Sequence, residues 1–107
     1  MDLTTIELHD AIVKSISADC TLNTVIIDVD FYKSKDDDNR TPALIIFDRV
    51  DSLSQVTNFG ALQKNAFAGH INEWVPAPAQ GNGTTYIDMV GGCIAINAKT
   101  VRFDSQG

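Results

Sequence analysis

The chain has 107 residues, the size of one domain over 1–107, and 44% hydrophobic against 21% charged residues is a globular composition. Fourteen acids against eight bases leave a formal net charge of -6. That excludes a nucleic-acid backbone or an anionic membrane surface as the expected partner, since both demand clustered Lys and Arg, and it suits a basic protein partner.

Period-2 patterning dominates from the start of the chain. A first strand is predicted over 11–18, with Ile12 and Ile16 on one face, followed by a turn over 19–23. The second strand, 24–33, has an unbroken apolar face of Val25, Ile27, Val29 and Phe31. Its opposite face carries Asp28 and Asp30, the signature of an antiparallel sheet buried on one side. A register slip of one residue would bury both aspartates, so the register is well specified. Residues 34–41 are polar and predict an exposed loop closed by Pro42. Residues 43–48 are apolar on both faces and predict a central strand.

Ser52 and Gln55 have capping-box spacing, so a helical turn is expected there. Phe59, Leu62, Ala66 and Phe67 recur at helical spacing and predict a short helix over 58–68, ended by Gly69. Residues 70–75 return to alternation, and Pro76 and Pro78 stop that strand. Strands are predicted over 85–90 and 93–98 around a tight Gly91-Gly92 hairpin, then a turn over 97–100 and a last short strand from Val101. The expected fold is mainly β: an antiparallel sandwich or strongly curved sheet of about six or seven strands with one short helix. The expected core is Ile12, Ile16, Val25, Ile27, Val29, Phe31, Leu44, Ile46, Phe59, Leu62, Ile87, Ile94, Ile96 and Val101.

No window nears the ~20 apolar residues of a membrane span. The opening MDLTTIELHD lacks the basic and apolar regions of a secretory signal, so a cytoplasmic location is expected. Cys20 and Cys93 are expected as buried, reduced thiols. With His9 and His70 they have no short-spaced ligand pairs, so no metal and no cofactor is expected.

Asp36, Asp37 and Asp38 form the densest carboxylate run. Counted as a calcium loop, the sixth position is Thr41 and the twelfth is Phe47, so an EF-hand is excluded. The run is a solvated loop or a protein contact. His9 and Asp10 invite an acid–base reading, but adjacent residues on an extended strand point to opposite faces. They are expected to be structural, with Asp10 bonding turn amides. Trp74 before Pro76 either closes one end of the core or anchors an interface. No catalytic residue emerges.

Leu8-His9-Asp10, the Asp28-Val29-Asp30 strand, Ile45 to Val50, Gly69 to Trp74 and Tyr86 to Gly92 occur in a distinctive order. In this the chain resembles small bacterial proteins of unassigned function that open with a Leu-His-Asp motif, some of them similar to immunity proteins of polymorphic-toxin systems. The resemblance implies a cytoplasmic bacterial setting. Together with the acidic surface and the missing catalytic constellation, it points to a non-enzymatic protein-binding module, an immunity protein against a toxin being its specific form. Asp36, Asp37, Asp38 and Trp74 are the expected binding residues. The rival readings are a small ligand-binding or enzymatic domain around His9, Asp10 and His70, and a homodimer or higher homo-oligomer joined through a sheet edge.

Overall fold

Six strands follow one another: β1 (Ile12–Asp19), β2 (Thr24–Phe31), β3 (Thr41–Thr57), β4 (Ile71–Val75), β5 (Gly83–Met89) and β6 (Gly92–Ser105). A 3-10 turn, Leu3–Thr5, precedes them. This computed structural model describes residues 3–60, 69–78 and 82–106. Every neighbouring pair of strands is antiparallel, in the order β1-β2-β3-β6-β5-β4.

The fold is therefore one mainly β, strongly curved sheet. Its curvature brings the two edges together at one point. The Val13 N–H donates to the Gly69 carbonyl (3.1 Å), and the Ile71 N–H donates to the Ala11 carbonyl (2.8 Å). Ile12 and His70 form an isolated bridge there. No ladder continues from it between β1 and β4, so the sheet is not closed.

The inner face holds the core. Val25, Ile27, Val29 and Phe31 are all buried, as their alternation predicts, and Ile87, Ile94, Ile96 and Val101 join them. Phe31 meets Phe103 edge to face, 4.9 Å between ring centroids. Asp28 and Asp30 stay on the outer face, where Lys14 reaches Asp28 at 3.5 Å and Asp30 at 3.1 Å. The hydrogen bond to Asp30, aided by the charge of Asp28, holds the Lys14 ammonium above its ordinary pKa.

Several expectations change on the tertiary structure. Ile12 and Ile16 do not share a face. The β1–β2 register shifts between Val13 and Ser15, so Ile12 pairs with Asp30 on the outer side while Ile16 pairs with Ile27. Such a bulge inserts one residue and reverses the alternation beyond it. Val13 packs against the core in place of Ile12. Leu44 and Ile46 lie on the outer face, opposite Asp28 and Ile26, where Ile46 is nonetheless buried, and Ala43, Ile45 and Phe47 fill the inner core. A run that is apolar on both sides carries no parity of its own; its neighbours choose it.

No helical turn begins at Ser52. Residues 52–57 continue β3 and pair with 92–97 of β6, so a thirteen-pair ladder outweighs a local capping signal. The strand bends at Arg49, whose φ is 51°, and again at a bulge between Val50 and Ser52. The turn expected over 97–100 is likewise absorbed into β6. Phe59 is 70% exposed and leaves the core. Leu62, with the rest of the expected helix over 61–68, lies outside the described residues. Both cysteines are exposed and free, Cys20 in a turn and Cys93 on the outer face of β6.

Candidate functional site

The Leu8-His9-Asp10 motif is a turn and not a strand, and this changes its geometry. Leu8 is fully buried and pins the turn to the core. Asp10 takes φ 67°, a left-handed conformation that Asp tolerates better than most residues. In that turn His9 Nε2 lies 3.7 Å from Asp10 Oδ2, so the neighbours do approach each other. Glu7, not Asp10, accepts a turn amide: its Oε1 receives the His9 N–H at 2.8 Å. The Asp10 carbonyl accepts both Nε (3.1 Å) and Nη2 (3.0 Å) of Arg40. Arg40 also lies over the Tyr32 ring at 4.7 Å, so it ties the 32–40 segment to the motif.

The other nitrogen of His9 makes a hydrogen bond. Nδ1 lies 3.0 Å from the Asn72 carbonyl. A carbonyl can only accept, so the proton of the neutral ring sits on Nδ1. One end of the ring is then committed to backbone, while Nε2 carries a lone pair and lies 3.7 Å from Asp10 Oδ2, too far for a hydrogen bond. His70 stands at the bridge to Ile12 and lines neither groove beside the motif.

Two grooves flank the segment that carries the motif. The larger, about 960 Å³, has an apolar floor of Ile6, Phe31 and Phe103 and a rim that includes His9, Lys35 and Asp37. The smaller, about 530 Å³, runs between residues 4–9 and β4 and includes Glu73, Trp74 and Val75. Trp74 packs partly against the core and donates Nε1–H to the Ile6 carbonyl at 3.0 Å. It thus joins β4 to the N-terminal segment.

The acidic loop is a built turn. The Asp37 N–H donates to the Ser34 carbonyl (3.0 Å), and Asp37 Oδ2 accepts the Ser34 N–H (3.1 Å). Ser34 Oγ accepts the Asp36 N–H (3.2 Å). All three aspartates are exposed. Replacing Asp36 and Asp38 with Ser is expected to leave stability within about 0.5 kcal/mol. Asp37→Ser should cost more, about 0.5–1.5 kcal/mol, because it breaks the reciprocal bond of the turn. Urea melts of the single variants check this order; equal losses at all three would mean that the turn is unformed in solution.

Asp28 and Asp30 extend this loop's acidity only weakly, since Lys14 lies against both and offsets one of their two charges. The distribution of charge elsewhere is less even. Arg102 lies 3.9 Å from Asp48, and Lys99 lies 3.7 Å from Asp51. No basic residue occurs in β4, β5, 52–57 or 92–98, and the charged residues there are Glu73 and Asp88. These two acids are direct cross-strand partners. In the next row of the same face, Val75 pairs with Tyr86 and Tyr86 with Ala95. Val75 is 49% exposed, Tyr86 56% and Val56, which pairs with the outward Cys93, 66%. Sequence patterning puts Ile87 in the core but does not show which residues stand beside Tyr86 on the other face. The alternation of Tyr86 with buried Thr85 and Ile87 was the signal that places it outside.

Among the described residues no three His, Cys, Asp or Glu side chains gather as metal ligands, and no helix is long and apolar enough to cross a membrane. No protein-family model matches this chain, and no curated protein or solved structure matches it either.

Proposed function

We infer that the protein is a non-enzymatic protein-binding module. The observation that carries this reading is the exposed apolar strip on the outer face of β4, β5 and β6, flanked by two acids without a described basic neighbour. Contiguous exposed apolar side chains mark contact surfaces, and tyrosine is enriched at interfaces because one end of its ring is apolar and the other polar. The tie of His9 Nδ1 to the Asn72 carbonyl, which fastens the motif to β4, supports a structural role for it.

The specific form of this reading is a bacterial cytoplasmic immunity protein that neutralises a basic toxin. The net charge of -6 and the Leu-His-Asp resemblance support it. Affinity capture from the native host, followed by reconstitution from purified components, tests the reading. A stoichiometric complex with a micromolar or tighter Kd is expected. A protein that reconstitutes with no macromolecule and co-purifies with a small molecule would instead be a ligand-binding domain, using the 960 Å³ groove beside His9 and Asp10.

A further inference from the structure

We propose that the outer half-face built by β4, β5, β6 and residues 52–57 of β3 docks a basic protein surface, with Tyr86 as its apolar anchor and Glu73 and Asp88 as its paired counter-charges. The inference rests on the protein-binding reading and assigns both the face and the chemistry of the partner.

Two halves of one outer face differ in charge. Around β1, β2 and the first part of β3, each of Lys14, Arg102 and Lys99 lies beside an aspartate. Within β4 and β5 the charged residues are Glu73 and Asp88, and the register sets them directly opposite each other. Like charges so placed destabilise a sheet. A lysine or arginine from a partner, seated between them, would relieve that repulsion and make charge-assisted hydrogen bonds to both carboxylates.

The next row, Val75, Tyr86 and Ala95, supplies the apolar contact. The row beyond, Thr84 and Asn97, is polar and internally bonded, with Asn97 Nδ2 donating to Thr84 Oγ1 at 2.9 Å. The strip thus has an acidic border and a neutral one, which gives a partner an orientation. The same acids argue against a second copy of this chain as the occupant. A two-fold contact through this face would set four carboxylates near one another with no described base to neutralise them.

A short synthetic peptide alternating lysine and valine is the probe, and its counterpart alternating glutamate and valine is the control. Amide shifts of the ¹⁵N-labelled protein are followed at low salt under reducing conditions, because Cys93 lies on the strip. The lysine peptide is expected to perturb residues 73–75, 84–88 and 93–95, and the glutamate peptide is expected not to. Glu73→Gln/Asp88→Asn should weaken lysine-peptide binding by about five- to tenfold, and Tyr86→Ala by a similar factor, with native shift dispersion retained in both.

Perturbations centred on the 34–41 loop, equal binding by the Gln/Asn variant, or a comparable effect of the glutamate peptide overturns the assignment of this face. So does a concentration-dependent dimer in sedimentation that Tyr86→Ala dissolves, since a second copy would then be the occupant. These outcomes leave the binding-module reading standing. That reading fails separately, if reconstitution with host proteins yields no complex.

Discussion

Ile27→Ala should lower the free energy of unfolding by about 2–5 kcal/mol in denaturant melts, with an unchanged m-value. Ile27 has no exposed surface and lies in the middle of β2, between Ile16 on β1 and Ile45 on β3. Removing its branched end leaves a cavity walled on both sides by strands that the ladder holds at fixed spacing. Closure of that cavity would have to move β1 or β3 bodily, so the loss should fall well above the transfer term alone. Ile26→Ala is the internal control. Ile26 is only half-buried and pairs with Ser17 and Ile46 on the outer face. It should cost about 1 kcal/mol, near the centre of the range for point variants. Equal losses at the two positions would mean that the register of β2 is off by one residue.

Gly92→Ala should cost about 1–3 kcal/mol, although it adds one methyl group and leaves the backbone in a common conformation. Gly92 opens β6 opposite Met89 and Thr57. A Cβ there would run into the carbonyl oxygen of Val56, which is backbone and cannot rotate away. The end of β3 would have to lift from the hairpin, and the bond from the Asn58 N–H to the Gly91 carbonyl (2.8 Å) would be stretched with it. Gly91 is needed for a different reason, its φ of 98°. Hence the hairpin loop is Val90-Gly91, and the second glycine serves close approach and not the turn. Because Val56 belongs to the exposed strip, Gly92→Ala should also shift the amides of residues 54–57. A variant as stable as wild type, with those amides unmoved, would mean that β3 does not lie against the hairpin in solution.

The candidate site was partly legible before folding. The aspartates at 36–38 stand out by composition, but composition does not reveal that Asp37 is spent on the Ser34 turn or that nearby Lys33, Lys35 and Arg40 offset the charge. Trp74 was legible as a residue at the rim, and its indole bond to the Ile6 carbonyl fits the closing role better than a free anchor. His9 and Asp10 were legible as a pair, yet their approach depends on a left-handed Asp10. The strip of Val75, Tyr86 and Ala95 was not legible at all. It is assembled from three strands, and which residues stand side by side is a matter of register between segments distant in the chain.

By itself the sequence determined the period-2 elements, the buried face of β2, the solvent side of Asp28 and Asp30, the ends imposed by Pro76 and Pro78, and the hairpin near Gly91. These follow from local chemistry: alternation, missing N–H groups and positive φ act within a few residues. Only the tertiary structure decided that Ile12 turns outward while Val13 turns in, that Ile45 joins the inner core cluster while Ile46 is buried on the outer side, and that residues 52–57 and 97–100 are strand. In each case the local signal was ambiguous or weakly contrary. A cross-strand ladder settles such cases because it satisfies the backbone N–H and C=O groups of both partners at once, and no single segment carries that information alone.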